Sequence, residues 1–161
     1  MTRDLERFLG VLRQEADTYH RLLRLATQQT HLVVSRDLPA LEELTARQEE
    51  ELNRLRGLDF EAREAFLDLA LPPGMTLDQA LEEGLDPSRR EEFSWVRADL
   101  SETAQALKKT NRFNAELVRN GLEYARHFLT CLSQMATSSP AYSPSGGARA
   151  FSAPVAISGF G

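Results

Sequence analysis

The stretch FSWVRADLSETAQALKKTNRFNAELVRNGLEYARHFLTCLSQM, residues 93–135, decides the fold. Within it Phe93, Val96, Leu100, Thr103, Leu107, Thr110, Asn114, Leu117, Gly121, Tyr124, Phe128, Cys131 and Met135 fall at alternating spacings of three and four. A stripe that repeats every 3.5 residues stays on one side of a helix only when that helix packs lengthwise against another. No proline interrupts the run, and Asp86-Pro87 supplies a cap followed by a first-turn proline. The pattern predicts one helix over 87–136, about 75 Å long at 1.5 Å per residue. A short chain built on such a rod is suited to holding another protein, not to enclosing a substrate.

Upstream the same logic recurs. Leu5, Leu9, Leu12, Ala16, Tyr19, Leu23, Ala26, Thr30 and Val33 predict a helix over 3–35, with Phe8 and Leu22 widening its face. Asp37 offers a cap and Pro39 suits a first turn. A second helix over 39–70 follows on Leu41, Leu44, Gln48, Leu52, Leu55, Leu58, Ala62, Phe66 and Leu69. The short break at 36–38 folds the two into an antiparallel hairpin. Leu71-Pro72-Pro73-Gly74 is a stop, Thr76 with Gln79 reads as a capping box for a short helix over 77–83, and Gly84 ends it. The fold class is therefore all-α: an antiparallel hairpin plus a long third helix, a coiled-coil-like three-helix bundle over 1–136. Residues 137–161 hold six Ser, five Ala, four Gly and three Pro with Arg149 as the one charge, and are expected to be a disordered tail.

Helix lengths carry a functional expectation. The first two helices span roughly 50 Å each and the long one about 25 Å more, so its partners should run out near residue 120. Composition changes at the same place: residues 88–116 carry 11 charged side chains and 117–136 only Arg119, Glu123 and Arg126. What is left is an apolar face of Leu117, Val118, Leu122, Tyr124, Phe128, Leu129, Leu132 and Met135, wider than a two-helix seam needs. Exposed apolar area marks interaction surfaces, and helical spacing fits an amphipathic helix partner. The opposing expectation is that the short helix folds back over this face, or that a second copy covers it. Asn111 and Asn114 sit mid-helix, where either could fix register in the seam or face solvent.

Composition narrows the classes further. A formal charge of −5, from 24 acids interleaved with 19 bases, leaves no basic stripe and argues against a nucleic-acid partner. One cysteine cannot form an internal disulfide, the charged N-terminal stretch has no signal core, and no run of about 20 apolar residues could span a bilayer. A cytoplasmic protein without stable membrane insertion is expected. Enzyme chemistry finds little support. A di-metal bundle site wants paired Glu-x-x-His motifs, whereas Asp17-x-x-His20 occurs once and His31 and His127 follow Gln28 and Tyr124 at that offset. No phosphate-cradling loop and no activated nucleophile is visible, and Cys131 reads as a small hydrophobe on the stripe. No cofactor is expected.

The order of these features resembles the FlgN family of flagellar export chaperones. Leu12-Arg-Gln-Glu-Ala-Asp-Thr-Tyr19-His-Arg-Leu22-Leu23-Arg-Leu-Ala26 resembles the family's opening helix, and Asp37-Leu-Pro-Ala-Leu-Glu-Glu-Leu44-Thr with Gln48-Glu-Glu its second. Asn111-Arg-Phe-Asn114-Ala-Glu-Leu117 with Leu122-Glu-Tyr124 looks like its long helix, and Tyr142-Ser-Pro-Ser-Gly146 its tail element. The resemblance implies binding of the C-terminal helical regions of hook-associated (hook-filament junction) proteins, with delivery to the flagellar export gate. By the same resemblance residues 117–136 would hold the client and Tyr142 would dock at the gate. Pro140 and Pro144 bracket that tyrosine and favour extended backbone there. Two other readings stay open: a chaperone for another client such as flagellin or a cap protein, and a self-associating coiled-coil scaffold.

Overall fold

The computed structural model describes residues 2–138, with side chains to Ala136. It is all-helical, with four helices and no strand among the described residues: α1 (Thr2–Ser35), α2 (Leu38–Asp68), α3 (Leu77–Gly84) and α4 (Pro87–Ser138). The tail expected from residue 137 thus begins with two helical residues, and the rest of it lies outside the described residues. The described residues fall into two units, divided between Leu117 and Val118, and α4 has residues in both.

Local chemistry sets the helix ends of the first unit. At the end of α1 the Asp37 amide donates to the Leu32 carbonyl at 3.2 Å and the Arg36 amide to Val33 at 3.3 Å, with Arg36 at φ 59°. That left-handed residue satisfies carbonyls the helix would otherwise leave open. Asp37 then turns to cap α2, its carboxylate accepting from the Ala40 amide at 3.2 Å. The Thr76 hydroxyl accepts from the Gln79 amide at 3.2 Å while the Gln79 side chain accepts from the Thr76 amide at 2.9 Å, the reciprocal capping box of α3. Asp86 caps α4 by accepting from the Arg89 amide at 3.0 Å.

Cross-helix pairs give the directions. Between α1 and α2, Arg7 meets Asp68, Arg21 meets Glu51 at 2.9 Å, and Gln48 donates to Gln29 at 3.3 Å, so the two run antiparallel. Between α1 and α4, Glu6 meets Arg89 at 3.2 Å, Arg13 meets Glu92, His20 meets Asp99 at 2.9 Å, and Asn114 meets Ala26 and Thr30. Both numbers rise together, so α4 within this unit lies parallel to α1.

One end of the unit is apolar. Leu5, Phe8, Leu9 and Val11 of α1 cluster with Leu58, Ala62, Ala65 and Leu69, with Leu81 and Leu85, and with Phe93 and Val96. Phe8 is the junction, its ring 5.8 Å from Phe66 and 6.0 Å from Phe93. Fully burying a Leu or Phe contributes about 1.5–3 kcal/mol, so this cluster carries most of the unit's stability. α3 belongs to it through Ala80 and Leu81, both buried. Further along, the seam becomes polar, with Thr18, Thr103 and Asn114 buried.

Candidate functional site

The expected stripe on α4 changes state at one place. Phe93, Val96, Thr103 and Asn114 are buried, and Leu100, Leu107, Thr110 and Leu117 are half-buried. From Val118 to Ala136 every described side chain is exposed, Gly121 and Cys131 of the stripe among them. The exposed set includes Val118 (41%), Leu122 (55%), Tyr124 (69%), Phe128 (56%), Leu129 (64%), Leu132 (46%) and Met135 (66%). Of the eight residues read as a face, Leu117 alone is partly covered, and it falls in the first unit. The apolar side chains Leu77 and Leu81 of α3 belong to the first unit's core.

Residues 118–136, with every described side chain exposed, still form a helix because their composition favours one: Leu, Ala, Arg and Glu are good formers, with Gly121 costing about 1 kcal/mol. Small polar side chains bond back along the backbone, Thr130 to the Arg126 carbonyl at 2.9 Å and Ser133 to Thr130 at 2.8 Å. Winding 3.6 residues per turn, the apolar side chains occupy about half of the circumference. Arg119 and Arg126 lie along one edge and Asn120, His127 and Gln134 along the other. Such a surface can take up an apolar helix.

Just before it, in the first unit, the two mid-helix asparagines separate. Asn111 is exposed, whereas Asn114 is 3% exposed. Its amide donates to the Ala26 carbonyl at 2.8 Å and to the Gln29 side chain at 3.2 Å, and its oxygen accepts from the Thr30 hydroxyl at 2.6 Å. With Gln48 also on Gln29, one polar layer links α1, α2 and α4. Sequence spacing named both asparagines but could not choose between them.

Elsewhere in the first unit, Phe8, Leu12, Ala62, Phe66 and Leu67 line an open groove between α1 and α2. Glu15 and Asp59 stand on its rim. Partial burial pushes the Glu15 carboxyl above its ordinary value, and the Asp59 charge adds to the rise. Burial likewise raises the Tyr19 phenol, with Glu15 and Asp59 contributing. Trp95, Phe113, Phe60 and Leu67 are also exposed and had no signal in the rhythm, because they fall off the stripe. Tyr142 lies outside the described residues.

No group of three or more His, Cys, Asp or Glu side chains is placed to hold a metal ion among the described residues. No helix among them is long and apolar enough to cross a membrane. The described residues are all helical and expose an apolar face along one helix, features that suit a chaperone-like protein. The chain belongs to the FlgN family: the model of that family, described as FlgN protein, matches residues 1–150, and the chain is thereby a flagellar chaperone. No curated protein and no solved structure matches it.

Proposed function

We propose that this chain is a cytoplasmic chaperone of flagellar type III export whose clients are hook-associated, hook-filament junction proteins. The client's C-terminal amphipathic helix lays its apolar stripe on the face formed by Leu117, Val118, Leu122, Tyr124, Phe128, Leu129, Leu132 and Met135. The observation that carries this reading is the uninterrupted exposure of residues 118–136, seven large apolar side chains included. A monomer gains nothing from keeping such a surface wet, so it is kept for a partner.

The mechanism is occlusion. A client helix held on this face cannot pair with other clients, so it stays unpolymerised until it is handed on. Burying each large side chain contributes about 1.5–3 kcal/mol, set against the cost of association and of ordering the client. Binding therefore needs no nucleotide, no metal and no catalytic residue, and we assign none. The first unit acts as a coiled-coil-like three-helix anchor for α4, and Tyr142 contacts the export gate. A short tail element of this kind binds weakly enough to release.

Coexpression with a hook-associated protein, with flagellin and with a cap protein tests the assignment. The junction protein should copurify with the wild-type chain and be lost from Leu122→Asp/Phe128→Asp. Preferential capture of flagellin or cap protein would move the client, and a concentration-independent oligomer in light scattering without client would favour the scaffold. Tyr142→Ala should impair export at unchanged client affinity.

A further inference from the structure

The edges of the exposed face are chemically unequal. Arg119 and Arg126 are seven residues apart, and each stands three residues before a leucine of the face, Leu122 and Leu129. Residues three apart are neighbours on a helix surface, so the two guanidiniums line the same edge one heptad from each other. Both are exposed, and neither makes an ion pair among the described residues. One heptad earlier Arg112 pairs with Glu116 at 3.5 Å. The one acid after Val118, Glu123, stands four residues after Arg119 and three before Arg126 on the polar side of the helix, and it forms an ion pair with neither among the described residues. The opposite edge, Asn120, His127 and Gln134, carries no carboxylate.

From this asymmetry we infer that the occupant of the face is an amphipathic helix with acidic side chains one heptad apart along the edge that meets Arg119 and Arg126. The inference rests on the client-surface reading above and adds the partner's charge pattern and its rotational setting. Charges flanking an apolar helical seam set partner choice and register more than they set affinity. In a chain of net charge −5, these two arginines also offset the repulsion an acidic helix would otherwise meet. A second copy is a poor occupant. It would bring either the same two arginines or the Asn120, His127 and Gln134 edge, which has no carboxylate, against them.

Three synthetic peptides of identical leucine stripe, carrying Glu, Gln or Lys at flanking positions seven apart, test this against the full chain by fluorescence anisotropy. The Glu peptide should bind tightest and the Lys peptide weakest, with about a fivefold step between Glu and Gln at low ionic strength that shrinks with added salt. Arg119→Glu/Arg126→Glu should invert the order, at unchanged helicity by circular dichroism. Equal binding of all three peptides would overturn the charge inference and leave the face reading intact. A Glu preference that survives in the double variant would overturn the assignment to these arginines. Binding of every peptide undiminished by Leu122→Asp would overturn the face reading itself.

Discussion

Asn114 sits where the buried part of the stripe is about to end, and it is satisfied on both sides of its amide. Replacing it by Ala would leave the Gln29 and Thr30 groups facing a small cavity without their partner. A buried group stripped of its hydrogen bond costs about 1–3 kcal/mol, so Asn114→Ala should lower the urea midpoint at an unchanged slope. Asn114→Leu would fill the cavity but strip the same Thr30, Gln29 and Ala26 groups of their partner, so it too should destabilise, by less than Ala. A further penalty would be in register, seen as broadened amide spectra for α1 and α4. Glu15 makes the opposite case, a carboxyl held above its ordinary value of 4.5 by burial and by Asp59. The folded chain then holds this proton more tightly than the unfolded one, so its contribution to stability falls as pH rises from 4.5 through the folded value. Glu15→Gln should therefore raise the melting temperature at neutral pH, and the gain should vanish as pH drops below 4.5. Glu15 is only partly buried, so solvent screening keeps the gain below about 1 kcal/mol.

At the level of the helix, rhythm and caps were readable because both are local. Asp37, Thr76 with Gln79, and Asp86 cap the helices that their residue types announce. What a stripe cannot say is whether a neighbour is present to cover it. On α2 the stripe residues Leu52 and Phe66 are each 42% exposed, whereas Ala65, which the rhythm passed over, is fully buried. Small residues admit close approach and leave little trace in hydrophobic spacing. The face on α4 was legible for the reverse reason: helix lengths and the thinning of charge after residue 117 both pointed to missing cover. Its inner limit was less so, since Leu117 is half-buried. Because the later side chains take no part in the first unit's core, Leu122→Asp and Phe128→Asp should leave its unfolding free energy within about 0.5 kcal/mol of wild type. The same variants should abolish client capture. A large loss of stability in either would mean that the face is structural.

Across the molecule, burial is graded along α4. An apolar cluster holds one end of the first unit, a polar layer at Asn114 closes its packing, and residues 118–136 have no buried side chain at all. Stability follows such gradients, because amides open locally at a free energy set by what surrounds them. An isolated helix of about 20 residues is marginal in water, and its hydrogen bonds are lost in fast local openings that need no global unfolding. Hydrogen exchange followed by mass spectrometry should then divide α4 in two: slow amides from Phe93 to Asn114, which open only with the core, and fast amides beyond Val118. Bound client would supply the missing cover, so the second set should slow by at least about tenfold while the first stays unchanged. On the proposed function, part of the client's binding energy would go into ordering this helix. That cost would limit affinity, which suits a protein proposed to hand its client on. Uniform protection along the whole of α4 in the free chain would show that the face is already covered, and the handover argument would fail with it.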